Sequence, residues 1–458
     1  MKKHFFLSLF LFTAIFSGPA ANAQYIEQVQ EITAGNFFGY GARQMAMGGA
    51  GMMSFDGNAL FYNPANLARI PRIEMNLGFS HQKYNDASNV REVRRIVDYS
   101  GVVTDAEILT PRFAGFTPVR GSAEVSKSDT RLNTAVLTIP YPTYRGSLVF
   151  GFGTARVANF DRVFRLSHSD SASPGNRIIA LGDEYQSGGL TQWGGGFGID
   201  ISPRISFGLG AFLYTGKHEY NWEYALDSLP DLEYRQEDLI IDDYVGWNIK
   251  SSLSMQLNQY LSLGLAVETP LKLNVDEEVT TTYAGDDNIY LDIVEYSVKR
   301  PFVFSGAVAL RYREAMIELD LDYTDWSQME YSDNRNMEVF NDDIEQYYDN
   351  VLRYRIGGEY VVPTLGLSLR AGYFNDPLPV KDQFINSDRK GYSFGFGLLI
   401  DQVLTLDFAW VHGGYERNSD FVYSSTYDTD DELISNHNLI VDEDISYDRI
   451  YVTSAYRF

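Results

Sequence analysis

Through most of this 458-residue chain, apolar side chains recur at every second position. Ile73, Met75, Leu77 and Phe79 alternate with Arg72, Glu74, Asn76 and Gly78. Leu261, Leu263, Leu265 and Val267 do the same, as do Ile317, Leu319 and Leu321, Leu365, Leu367 and Leu369, and Leu404, Leu406 and Phe408. Successive side chains leave a strand on opposite sides, so a period of two marks strands with one apolar face. A soluble sandwich would show the same period, and the connections discriminate better. Fourteen segments read as strands, at about 72–84, 131–140, 145–160, 188–201, 204–224, 243–257, 260–283, 288–310, 313–330, 350–361, 364–380, 388–400, 403–420 and 445–458. Every second connection is a tight turn, such as Ser202-Pro203, Asn258-Gln259, Val362-Pro363 and Asp401-Gln402. The others are mostly long, and the longest are acidic: Asp227 to Asp243, Tyr331 to Asn350 and Asn418 to Asp444.

Short turns on one side and long loops on the other are the pattern of bacterial outer-membrane barrels. Lipid offers no hydrogen bonds, so the sheet must close on itself. The expected fold is all-β, a transmembrane antiparallel β-barrel of about fourteen strands over residues 72–458. Lys2, Lys3 and the apolar run Phe5 to Phe16, then Ala21-Asn22-Ala23, read as a signal peptide over 1–23. The chain is therefore expected in the bacterial outer membrane after cleavage. An aromatic final residue, Phe458, in strand phase resembles the terminal signal read by barrel-assembly machinery. The aromatics Trp247, Tyr260, Tyr312, Trp326 and Trp410 lie near strand ends, where membrane interfaces hold them.

Residues 24–71 do not read as a strand pair. Glycines crowd 35–51 and are followed by Asp56, Phe61, Asn63, Pro64 and Ala65. Phe37, Phe38, Met45, Met47, Met52, Met53, Leu60 and Phe61 are too apolar for a disordered tail. Fourteen strands would otherwise enclose a wet channel, so this segment is expected inside the lumen as a plug.

Composition removes other classes. There are 37 Lys and Arg against 61 Asp and Glu, a formal charge of −24. That argues against a nucleic-acid partner, which would need a basic face. With no cysteine and six histidines, neither a metal nor a cofactor is expected. His81, His168, His218, His412 and His437 fall near outer strand ends or in loops, with no spacing that supports catalysis. The chain is read as a non-enzyme with no catalytic residue.

Four segments in order resemble the outer-membrane hydrophobic-compound transporters typified by the long-chain fatty acid transporter (the FadL/TodX family). They are Gly41 to Ala50 with Asn63-Pro64-Ala65; Glu268-Thr269-Pro270-Leu271-Lys272; Asp322-Tyr323-Thr324-Asp325-Trp326-Ser327; and Arg370-Ala371-Gly372-Tyr373 through Pro379. The resemblance implies a barrel plugged by an amino-terminal hatch. It also implies passive transport of hydrophobic small molecules such as long-chain fatty acids, other lipids or hydrocarbons. Loops would capture the ligand, the lumen would bind it, and hatch rearrangement would release it sideways through the wall to outer-membrane lipid. Phe61, Asn63, Pro64 and Ala65 become gate candidates. Gly151 and Gly153, in the third strand, are candidates for the lateral opening. Arg43 and Arg69, with Asp320, Asp322 and Arg370, are candidates for locking the plug. The barrel is expected to act as a monomer. The stretch Gly41 to Ala50 also resembles same-fold barrels that serve a type IX-like secretion system, so a protein-secretion partner or cargo shuttle is the alternative.

Overall fold

The computed structural model describes residues 38–97, 103–107, 120–144, 146–169, 179–227, 233–283, 288–379, 388–427 and 433–458. The expected signal peptide, and residues 24–37 of the expected plug, lie outside them. Nineteen strand segments form one antiparallel sheet. It opens with β1 (Glu74–Val97), whose upper part pairs with the short β2 (Val103–Glu107), and β3 (Arg120–Tyr141). The third strand is split into β4 (Leu148–Asn159) and β5 (Arg162–Ser169). Then come β6 (Ile179–Ser202), β7 (Ile205–Asp227) and β8 (Glu233–Gln256). The seventh to ninth strands are also split: β9 (Leu261–Glu268) and β10 (Leu271–Tyr283); β11 (Tyr290–Arg300) and β12 (Val303–Tyr312); β13 (Ala315–Asp325) and β14 (Glu330–Ser332). The ring ends with β15 (Asn350–Val362), β16 (Leu367–Asp376), β17 (Arg389–Ile400), β18 (Leu404–Tyr427) and β19 (Leu433–Arg457). β19 pairs with β1 from Glu74↔Arg457 upward, which closes a transmembrane barrel of fourteen strands.

The wall behaves as hydrocarbon demands. Leu265 is 49% exposed and Phe304 51%, both pointing outward. Trp247 and Tyr312 are exposed at the two ends of this band. Inward positions are polar or small, as at Glu318, Asp320, Ser393 and Ala409. No helix among the described residues is long and apolar enough to cross a membrane.

One expectation about the connections fails. The stretches Asp227 to Asp243 and Asn418 to Asp444 were expected as loops, and 85–130 falls between the first two expected strands, yet their described residues extend the strands. Above the membrane no face need be apolar, so the alternation fades while the backbone ladder still pairs. The connection after β14 instead folds into two short helices, α3 (Arg335–Glu338) and α4 (Asn341–Tyr347).

The phase of three adjacent strands also inverts at one level. In β9, Ala266 is buried and Leu265 and Val267 face outward; in β10, Leu271, Leu273 and Val275 are buried and Lys272 and Asn274 exposed. In β12, Ala307 and Ala309 are buried, but in β11 it is Tyr296 and Val298. The ladder register continues across this break, from Glu268↔Val303 to Leu271↔Arg300, so Pro270 stands opposite Pro301. Neither proline can donate a ladder hydrogen bond. One strand further on, a 3₁₀ turn, Trp326–Gln328, does the same for β13 and β14. Trp326 was expected at an interface; that turn rotates it inward and it is fully buried. Pro270 follows Tyr260 by ten residues, about the length of strand that crosses a bilayer. The inversion therefore marks the upper edge of the hydrocarbon band.

Candidate functional site

Residues 38–70 occupy the lumen. α1 (Ala42–Ala46), α2 (Ala59–Tyr62) and a 3₁₀ turn, Pro64–Arg69, are almost wholly buried. These helices are too short to be stable alone, so the wall holds them. It does so by accepting or donating hydrogen bonds all around the ring. Gly41 N–H donates to Asn133 Oδ1 at 3.0 Å and Ala42 N–H to Thr453 Oγ1 at 2.9 Å. Gly48 N–H donates to Ser393 Oγ at 2.8 Å. Asp320 Oδ2 accepts from the N–H groups of Gly51 and Met52, at 2.8 and 3.0 Å. Glu318 Oε1 accepts from Met53 N–H at 2.8 Å, and Glu74 Oε1 from Gly57 N–H at 2.8 Å.

Close backbone approach completes the fit. Gly48 has φ +72°, and a Cβ on Gly372 would lie 2.1 Å from its nitrogen. A Cβ on Gly208 would lie 2.1 Å from the nitrogen of Ala65. Only glycine admits a second backbone at such distances.

The four gate candidates lie together. Phe61 is fully buried, with ring centroids 5.4 Å from Tyr40 and 5.9 Å from Phe212. Lys250 Nζ donates to its carbonyl oxygen. Asn63 caps the turn: its Oδ1 accepts from Ala65 N–H at 3.2 Å, and its Nδ2 donates to Met52 O at 3.1 Å. Pro64 opens the turn, where its missing donor costs nothing. Ala65 N–H also reaches Ser252 Oγ at 2.9 Å.

The lock candidates divide. Arg43 grips Glu359 through Nε at 3.2 Å and Nη2 at 3.0 Å. Glu359 also accepts from Arg370 at 2.7 Å, and Arg370 reaches Asp407 at 2.6 Å. This Arg–Glu–Arg–Asp chain ties α1 to β15, β16 and β18. The neighbouring Glu359 carboxylate raises the Arg43 guanidinium further above its usual value. Asp320 holds the segment backbone, as above. Asp322 instead pairs with Arg355 on the wall. Arg69 lies 4.0 Å from Asp200, a loose contact. Asp56 accepts twice from Gln44 Nε2, at 3.0 and 2.8 Å, and burial pushes its carboxyl up to about 6.

Gly151 and Gly153 sit in continuous ladder, opposite Thr138 and Val136. The register shift of the third strand falls beyond them, between Arg156 and Ala158, and the strand breaks after Asn159. A Cβ on Gly151 would touch Leu67 at 3.2 Å, so that glycine serves the seated segment. Among the histidines, His218 was expected near an outer rim; it is buried, with Nδ1 3.1 Å from Asp242 Oδ2. The side chains of His168 and His437 lie outside the described residues.

Between the segment and the wall is a cavity of about 130 Å³. Tyr40, Met52 and Tyr62 line it from the segment, and Tyr214, Lys250, Glu268 and Arg300 from the wall. Val157 and Ala158, at the irregular part of the third strand, lie on its border. An engineered apolar cavity of roughly 150 Å³ admits benzene, so the space is that of a ring or a short alkyl run. Lys250 and Arg300 escaped the sequence reading as functional candidates. Alternation places a charge in a lumen but does not tell which neighbour it meets.

The chain matches no protein-family model and no curated protein. Its fold is similar to solved structures. A Pseudomonas aeruginosa FadL homologue is 14% identical, with a TM-score of 0.57, over 92% of this chain and 98% of that one. The P. putida toluene transporter TodX is 15% identical, with a TM-score of 0.53, over 92% of this chain and 99% of that one. At such identity the likeness establishes one thing: this chain has the barrel fold of those proteins along nearly its whole length.

Proposed function

We propose that the chain is a member of the FadL/TodX family, a passive outer-membrane transporter of hydrophobic small molecules, long-chain fatty acids or similar lipids foremost. The observation that carries this is a lumen filled by residues 38–70, with a cavity left at the boundary between that segment and the wall. A non-selective porin would leave its lumen open to water. The fold shared with a FadL homologue and a toluene transporter supports the same reading. Loops at the long-connection end capture the ligand. It enters the cavity, and displacement of Phe61, Asn63, Pro64 and Ala65 opens the way. The break after Asn159, beside Val157 and Ala158, is the lateral exit towards lipid; below it Gly151 abuts Leu67 of the segment and Gly153 lies close against Ala135 of the neighbouring strand. Residues 24–71 act as the hatch, locked by Arg43, Arg370 and Asp320, with Asp322 and Arg69 as lesser contacts. Residues 1–23 are removed on export, Phe458 is read by the assembly machinery, and the barrel works as a monomer without catalysis.

Burial of alkyl surface drives binding, at about 0.8 kcal/mol per CH₂. Two carbons fewer should weaken affinity roughly tenfold. Uptake of labelled oleate by a transporter-deficient strain tests the proposal. Saturable uptake that depends on residues 24–66 supports it. A correctly inserted barrel that takes up no hydrophobic ligand would sink it and leave the secretion-partner role.

A further inference from the structure

Above the membrane the wall has an open edge at β11. This strand pairs with β10 along its whole length, from Thr281↔Tyr290 to Leu271↔Arg300. On its other side it meets β14 only at Ser297, Val298 and Lys299. From Tyr290 to Tyr296 that side has no strand partner among the described residues. In a ladder the N–H and C=O of one residue point to one side and those of the next residue to the other. Ile293 N–H donates to Asp292 Oδ1 at 3.0 Å, and Glu295 O accepts from Asn334 Nδ2 at 3.1 Å. Side chains thus stand where a neighbouring strand would, and the backbone groups of Leu291, Ile293 and Glu295 face the open side.

The side chains of the same three residues point outward, opposite in phase to the buried Tyr296 and Val298. Leu291 is 58% exposed and Ile293 64%. Ile293 stands eight residues above Pro301, roughly 26 Å of strand beyond the hydrocarbon edge, so lipid does not cover it. A free edge is ordinarily guarded by charges, proline or a bulge. The upper part of β3, also laddered on one side only, carries Glu124, Lys127, Asp129 and Arg131. β11 turns two large aliphatic side chains to water instead. Charge then selects the occupant. On the outer face Glu295 lies opposite Asp276, and Asp276 opposite Asp243. All three are exposed, and none has an ion-pair partner among the described residues. Like charges facing each other across strands repel, and a cation beside Glu295 relieves this. A second copy of β11 supplies none: paired antiparallel about Ile293, it sets Leu291 against Glu295 and joins two chains of formal charge −24.

We propose that the upper edge of β11 docks an extended cationic segment of another protein, which adds a strand to the wall above the membrane. A lysine or arginine of that segment lies opposite Glu295, and apolar residues lie opposite Ile293 and Leu291. Main-chain hydrogen bonds supply affinity in such strand addition, and alternate side chains supply specificity.

The test is fluorescence anisotropy with the purified full chain in a non-ionic detergent. The probe is a labelled octapeptide that alternates threonine with lysine in its first half and with valine in its second; the control peptide has glutamate for lysine. The lysine peptide is expected to bind at least tenfold more tightly than the glutamate peptide, and hydrogen exchange over residues 289–296 should slow when it binds. Ile293→Pro removes a donor from the open side alone and should abolish binding, with the β-sheet circular dichroism of the parent. Glu295→Lys should reverse the preference between the two peptides. Equal binding of the two peptides to the parent overturns the proposal. So does lysine-peptide binding that survives Ile293→Pro, or slowed exchange elsewhere with none over 289–296. A parent that is dimeric without peptide and monomeric as Ile293→Pro gives the edge to a second copy and overturns the cationic occupant. Oleate uptake decides the transport reading separately from all of these.

Discussion

Below the level of Pro270 and Pro301, the seventh to ninth strands turn Leu265, Val267, Phe304, Val308, Ile317 and Leu319 outward. Above it, the same strands turn Leu271, Leu273, Val275, Tyr296, Val298 and Tyr331 inward. There they pack with Trp326, Met337, Ile344 and Tyr348, beneath α3 and α4. The two regions share one sheet and nearly one composition. They differ in the solvent outside: hydrocarbon below and water above. The apolar face follows the dry side. Other strands need no break: β19 keeps one phase although its lumen side mixes apolar Val441, Ile445 and Tyr451 with polar Glu443, Arg449 and Thr453. Its alternating inward positions run from Val441 to Ala455 without a shift. The lesson is that period two identifies a strand but leaves the phase to be set segment by segment.

The largest expected effect separates these regions directly. Phe304→Arg should lower stability by about 2–4 kcal/mol, as for a cation facing lipid near the midplane. Asp276→Arg, outward on the upper region, should stay within about 0.5 kcal/mol. Urea unfolding in lipid vesicles measures both. Similar losses for the two would mean that the band of lipid extends past the prolines.

A second comparison sets wall against segment. Gly208→Val would press a side chain into Ala65, at a cost on the order of 1–3 kcal/mol for overpacking. That cost should fall on the seated segment: faster proteolysis between 38 and 70, with the global unfolding midpoint unmoved. A midpoint that drops with proteolysis unchanged would show that segment and wall are one cooperative unit.

Arg43→Gln should weaken the seating by roughly 1–3 kcal/mol, since it removes two charge-assisted bonds to Glu359. Arg370 still holds that carboxylate, so the wall is spared. Single-channel recordings should show more frequent opening, and an unchanged record would assign the lock elsewhere.

The smallest effect is on pH. Seating raises the Asp56 carboxyl from 3.8 to about 6. A raised carboxyl favours the seated state when protonated. Its stabilisation is full below about pH 4 and is lost as the pH rises through about 6. Openings should thus increase from pH 4 to 7 in the parent and change less in Asp56→Asn. An opposite slope would mean that the ionised carboxylate, whose Oδ2 lies 3.8 Å from Arg43 Nη1, dominates.

Much of the fold was legible because lipid enforces a simple rule. All fourteen strands followed from alternation and from turns such as Asp401-Gln402. The lumen address of Asp320 and Arg370 followed from the same parity. What stayed hidden depends on neighbours far apart in sequence. Trp326 reads as an interface aromatic until a 3₁₀ turn inverts it. Gly208 and Gly372 fit the segment backbone, and only the alternating glycines of 194–198 and 208–210 hinted at such an approach.

The account stands on a barrel closed by its own amino-terminal segment. Single-channel conductance of the full chain in a planar bilayer, beside a chain lacking residues 24–66, tests that most directly. The account predicts a near-silent full chain and a large, steady conductance from the shortened one. A full chain that conducts like an open porin would contradict it.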